Sequence, residues 1–185
     1  MADARTKRLT IVACILGTSV VFLDGTVVNV ALPAIRADLA GGLAAQQWVV
    51  EAYLLTLGSL LLVGGSLGDL MGRKKIFSIG LAGFGLASVL CAIAPTVEVL
   101  IAMRALQGIA GALLVPSSLA VITAVFPDDE RGAAIGTWTA WAGIATVLGP
   151  FGGGLLIDHA SWRWIFAINV PFVLVTLAIL RSAVP

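Results

Sequence analysis

Charge is what this 185-residue chain has least of. Only 11% of its residues are Asp, Glu, Lys or Arg, while 59% are hydrophobic. A soluble domain of similar size has about 25% charged and about 45–50% apolar residues. That much apolar surface cannot be hidden in a core of its own. With a mean hydropathy of +1.06, the chain reads as an integral membrane protein surrounded by lipid. The net charge of +1 offers no polybasic surface for nucleic acid. There is no G-x-x-x-x-G-K-[ST] loop to hold the phosphates of ATP and no H-E-x-x-H pair to hold a metal. "GLAGFG" (80–85) has the glycines of a nucleotide loop in the wrong order. The single histidine, His159, falls in a turn, and Cys14 and Cys91 sit in apolar runs as small packing residues. No cofactor is expected. The apolar runs also lack the alternation of a membrane β-barrel.

What is present is a series of apolar runs, each about the 20 residues that a helix needs to cross a bilayer. Six spans are predicted, over 9–32, 46–66, 76–94, 97–125, 132–157 and 163–181. The first follows basic residues, as in a signal peptide, but runs on to Leu32 and is read as an uncleaved span. Six spans place both termini on one side. That side holds Arg5, Lys7, Arg8, Arg73, Lys74, Lys75, Arg131 and Arg181, against Arg36 and Arg163 on the other. The positive-inside rule makes both termini cytoplasmic. The fold class is all-α, multi-pass, in the cell (inner or plasma) membrane.

A short pattern occurs twice. "GGSLGDLMGRKKIF" (64–77) and "GGLLIDHASWRWIF" (153–166) share six identities and one conservative pair in fourteen ungapped positions. The 89-residue offset spans three helices, so the copies face opposite sides of the membrane. Such a pattern predicts two inverted three-helix repeats, 1–94 and 95–185, as in secondary transporters. The outer copy carries Trp162, Arg163 and Trp164, which reads as an interfacial anchor.

Four ionisable residues fall inside or at the edge of spans: Asp24, Glu51, Arg104 and Asp69. A charge in lipid costs several kcal/mol unless it is paired or wetted. Counted from the outer ends of their spans, Asp24 and Arg104 both lie roughly 11–12 Å deep. Matched depth and opposite charge make them a candidate pair. It has two readings, a structural tie between the first and fourth spans or a proton site. In the second, Arg104 holds Asp24 ionised and whatever weakens the pair lets the carboxylate take a proton. Gln107 lies one turn below Arg104. In the fifth span, Pro150 is expected to kink the helix. Around it Gly143, Gly149, Gly152, Gly153 and Gly154 leave room for a neighbouring helix. Pro116 is expected to kink the fourth span.

Several motifs, in this order and spacing, resemble one family. They are "LDGTVVNVALP" (23–33), "GSLGDLMGRKK" (65–75), "RALQGIAGA" (104–112), "GPFGGG" (149–154) and "SWRWIFAINVP" (161–171). The chain resembles the N-terminal half of the major facilitator superfamily, specifically its fourteen-span drug:proton antiporters. The resemblance implies that Asp24 and Arg104 couple protons and that Asn29, Glu51 and Gln107 are candidates to line a substrate path. It makes Gly65, Gly68, Asp69, Gly72 and Arg73 a cytoplasmic gate loop, and Gly149, Pro150, Gly153 and Gly154 the antiporter kink. One departure stands in the loop motif, where Leu70 replaces the usual basic residue after the aspartate.

The function expected from the resemblance is proton-coupled efflux of lipophilic drugs, not enzymatic catalysis. The chain would be one half, or a truncated form, of such a transporter. Its partners would be small-molecule substrates, protons, the lipid bilayer and a second six-helix half from the same or another chain. The rival reading is a membrane scaffold whose buried charges only hold helices together. A channel fits less well, because the polar residues are too few to line a wet path.

Overall fold

The computed structural model describes residues 3–183, which form helices and no strands. The outermost ends of the two predicted repeats, 1–2 and 184–185, lie outside the described residues. Helix α1 runs Ala4–Leu39, α2 Leu43–Met71, α3 Arg73–Ala92, α4 Val97–Val125 and α5 Asp128–His159. The last span is divided into α6, Trp164–Ala167, and α7, Asn169–Ala183. Six helical segments are thus long and apolar enough to cross a membrane.

Most helices overrun the apolar runs that predicted them, because caps rather than polarity end a helix. Asp3 accepts the Thr6 amide at 2.8 Å and starts α1 inside the basic N-terminal stretch. Thr96 accepts the Val99 amide at 3.4 Å and starts α4 at the predicted residue. Between α2 and α3 the only linker is Gly72, with φ +100°, a backbone that residues with a Cβ rarely adopt. The sixth span departs from the prediction of one continuous helix, breaking at Ile168, three residues before Pro171, which has no N–H to offer a helical partner.

Helix α2 packs on α4, α1 on α5, and α3 on α4 and α7. The buried apolar residues form two clusters. One gathers Cys14, Val21, Tyr53, Phe84, Leu114 and Val173. The other gathers Val28, Val49, Cys91, Leu100, Trp162 and Phe166. Along α1 to α4 and across the α6–α7 span, the chain passes from one cluster to the other across a short gap: 21 to 27 in α1, 84 to 91 in α3, 100 to 110 in α4. The candidate site lies in that gap. Helices α2 and α5 are the least enclosed, with 11% and 22% of their most apolar windows buried against 50% for α1, α3 and α4. Leu62, Leu70, Phe151 and Leu155 project from them, fully open.

Candidate functional site

The gap between the two apolar clusters is filled by polar side chains. Asp24, Ser88, Arg104 and Gln107 have no exposed surface, and Asn169 has 1%. Asp24 Oδ2 is bonded directly to Arg104 Nη1. Asp24 Oδ1 accepts from Gln107 Nε2 at 3.0 Å and from Asn169 Nδ2 at 2.9 Å. An ionised carboxylate can only accept, and here every donor facing it is an amide or a guanidinium. Arg104 donates from Nε to the Val49 carbonyl at 3.0 Å and from Nη1 to Gln107 Oε1 at 2.7 Å. Its guanidinium lies 4.2 Å from the centroid of the Tyr53 ring and 5.6 Å from that of Phe166. These contacts offset part of the cost of removing the cation from water. Ser88 Oγ accepts from Gln107 at 2.9 Å and from Asn169 at 3.3 Å, and donates to the Phe84 carbonyl at 2.7 Å.

The depth argument from the sequence therefore brings the right pair together, and Gln107 joins it. Asn29 and Glu51 do not join it. Both are exposed, and the Asn29 amide turns back to the carbonyls of Gly25 and Thr26 in its own helix, at 3.5 and 3.3 Å. Three members of the layer, Tyr53, Ser88 and Asn169, were not foreseen. Asn169 had a readable signal, a lone amide in an apolar run. Ser88 and Tyr53 had none, because a serine and a tyrosine are unremarkable in such runs.

The predicted gate residues cluster at the α2–α3 turn. Asp69 and Arg73 pair one helical turn apart at 3.3 Å, both exposed. Arg73 also reaches the Ala120 carbonyl of α4 at 3.1 Å. A Cβ on Gly65 or Gly68 would make ordinary contact with Pro116 or Ser117, at 3.7 and 3.4 Å. Beside them lies an open groove of about 1030 Å³, lined by Asp69, Arg73, Lys75, Ser78 and Val125 among others.

Around Pro150 the packing role expected of the glycines needs correction. Helix α5 is unbroken from Asp128 to His159. Only two of the five glycines seat a neighbour. A Cβ on Gly149 would lie 2.4 Å from Thr26 Oγ1, and one on Gly153 2.3 Å from Val27 Cγ2. Gly143, Gly152 and Gly154 face open space. The reason is geometric: 149 and 153 are one turn apart and share the face against α1, whereas the others point away. A second correction concerns the outer anchor. Trp162 is buried at 4% exposure. Its Nε1 donates to Asp38 at 3.0 Å while Arg163 stacks on it and pairs with the same carboxylate at 3.2 Å. The trio thus ties the end of α1 to α6, and of its two tryptophans only Trp164 is open.

Comparisons with known proteins point one way. The family model described as Major Facilitator Superfamily matches residues 14–185. The chain is 46% identical over 170 residues to a probable actinorhodin transporter of Streptomyces coelicolor, covering 89% of this chain and 29% of that protein. It is 44% identical over 168 residues to the multidrug resistance protein Stp of Mycobacterium tuberculosis, covering 90% and 31%. It is 46% identical over 157 residues to the methylenomycin A resistance protein of Bacillus subtilis, covering 84% and 34%. The chain thus spans about a third of the length of these relatives. Among solved structures, a proton:xylose symporter, XylE, aligns with a TM-score of 0.80 at 18% identity, over 98% of this chain and 45% of that one. At that identity the likeness is one of fold.

Proposed function

The chain belongs to the Major Facilitator Superfamily, a family of transporters and not of enzymes, and from that premise we propose that it forms the N-terminal half of a proton-coupled exporter of lipophilic small molecules. One observation carries the proposal: a fully buried Asp24–Arg104 pair set among amides in the gap between two apolar clusters. The names of its relatives, transporters and resistance proteins for antibiotics and drugs, support the export of such compounds.

In this reading Asp24 carries the proton. Ionised, it is held by Arg104, Gln107 and Asn169. Protonated, it loses the attraction of Arg104, whose remaining partners are the Val49 carbonyl, Gln107 Oε1 and the Tyr53 ring. The layer joins α1, α2, α3, α4 and α7, so loading a proton alters the tie among all of them. Alternating access follows if each protonation state favours one arrangement. The second half would cover the apolar faces of α2 and α5, and both termini would be cytoplasmic. The two inverted repeats find support in Gly64 and Gly153, equivalent under the 89-residue offset. Gly64 seats α4 and Gly153 seats α1.

A purely structural tie is favoured by the same completeness of the bonding around Asp24, and one experiment separates the two. Asp24→Asn is introduced at the native locus, so that whatever completes the transporter is present. Drug-induced proton release is then followed in everted membrane vesicles. The expected result is loss of exchange and of resistance per molecule present in the membrane, with abundance lowered because Arg104 loses its counter-charge. Intact exchange in this variant would remove Asp24 from the coupling. Exchanging the two residues tests the same point: recovery of stability without transport supports coupling, and recovery of both supports a tie.

A further inference from the structure

Pro150 has no N–H, so the carbonyl four residues earlier, that of Thr146, loses its helical donor. Inside a membrane protein a freed carbonyl must find another partner. Thr26 Oγ1 of α1 lies 3.1 Å from it. The same hydroxyl is also within 3.0 Å of the Leu23 carbonyl and 3.3 Å of the Phe22 carbonyl, both in its own helix. It has a single proton to give. Phe22 and Leu23 already accept the amides of residues 26 and 27 through the α-helical pattern, whereas Thr146 has lost its amide. The proton therefore belongs with Thr146. Gly149 makes this reach feasible, since a Cβ there would stand 2.4 Å from Thr26 Oγ1 and 3.0 Å from the Leu23 carbonyl.

We propose that Thr26 is a positioning residue: its hydroxyl replaces the hydrogen bond that Pro150 removes, and so fixes α1 to α5 two residues from Asp24. Gly153, one turn further on, presses against Val27 and extends the same joint. The joint sets the depth and rotation of α1 where it presents Asp24 to Arg104. Helix α5, which contributes nothing to the polar layer itself, is linked to it through this bond.

The test is a thermal double-mutant cycle on the chain expressed from its native locus, read in isolated membranes without drug or gradient. Thr26→Val keeps the branched shape and removes the hydroxyl, and is expected to lower the midpoint by roughly 4 °C. Thr26→Ser is expected to lower it by less than about 1 °C. Pro150→Ala returns an N–H to Thr146, so adding Thr26→Val in that background should shift the midpoint by less than about 1 °C. An equal drop from Thr26→Val with and without Pro150 overturns the proposal. If Thr26→Val fails to accumulate, recovery of its abundance by Pro150→Ala supports the bond and continued absence overturns it. In export, Thr26→Val should slow turnover ~10-fold at unchanged half-saturation, with rescue by Thr26→Ser; failure of the serine to rescue overturns the positioning role. Membranes of the unmutated strain that show no proton-linked export would sink the proposed function, while the thermal cycle would still decide on Thr26.

Discussion

The α1–α5 and α2–α4 crossings use the same parts and differ in what the parts touch. In each, a threonine hydroxyl reaches across to a carbonyl three residues before a glycine: Thr26 to Thr146 beside Gly149, and Thr56 to Ala105 beside Gly108, the latter at 3.0 Å. In the α2–α4 crossing one glycine meets backbone first and the other a threonine hydroxyl. A Cβ on Gly64 would stand 2.1 Å from the Ala112 carbonyl oxygen, while one on Gly108 would stand 2.1 Å from Thr56 Oγ1 and 2.4 Å from the Tyr53 carbonyl oxygen. In the α1–α5 crossing Gly149 repeats the pattern of Gly108, with Thr26 Oγ1 nearest and the Leu23 carbonyl next, whereas Gly153 meets a side-chain end, Val27 Cγ2. At Gly64 the α2–α4 pair meets main chain to main chain. At Gly153 the α1–α5 pair rests on valine methyls that can turn.

The two crossings also handle their prolines differently. Pro116 frees the carbonyl of Ala112, and Gly64 packs onto that carbonyl through its Cα, a weak C–H contact at best. Pro150 frees the carbonyl of Thr146, and a hydroxyl takes it. A joint held by one exchangeable hydrogen bond is better suited to a moving helix than one held by backbone contact. The difference predicts a stiffer contact at Gly64 than at Gly153.

The largest expected effect falls on the layer that both crossings enclose. Arg104→Met strands Asp24 as an unpaired buried carboxylate and should destabilise by about 3–5 kcal/mol, read as lost accumulation in membranes. Restored accumulation in Arg104→Met with Asp24→Asn would confirm that the stranded charge is the cause. Next comes the contrast between glycines. Gly64→Ala must displace a carbonyl and should cost about 2–3 kcal/mol, whereas Gly153→Ala displaces a valine methyl and should cost about 1 kcal/mol. Equal thermal shifts for the two would erase the difference between the crossings. Smallest is Thr56→Val. The Ala105 carbonyl keeps its helical amide, so losing the hydroxyl should cost no more than about 0.5 kcal/mol. A shift as large as that of Thr26→Val would show that the proline is irrelevant.

The spans were legible because lipid imposes one rule on every exposed side chain, and the rule survives without knowledge of neighbours. Asp24 and Arg104 were legible for the same reason, since a charge inside an apolar run is conspicuous and its depth can be counted in residues. Asn29 and Glu51 are just as conspicuous in the sequence, yet they face away from the layer. Depth can be counted along a helix, but the direction in which a residue points depends on how that helix is rotated against the others. Gly154 fails as a packing residue on the same account, one residue from Gly153 and a third of a turn around.

The sequence by itself determined the medium, the number of spans and the two charges that had to meet, because each follows from the cost of placing a residue in hydrocarbon, and its motifs carried the resemblance to the family. Only the tertiary structure decided which amides complete the site, which glycines bear a neighbour and which hydroxyl answers Pro150. Those are matters of helix rotation and of single hydrogen bonds between distant segments. Thr26 and Thr146 are 120 residues apart, and although Pro150 marks the Thr146 carbonyl as lacking a donor, nothing local reveals that Thr26 supplies it.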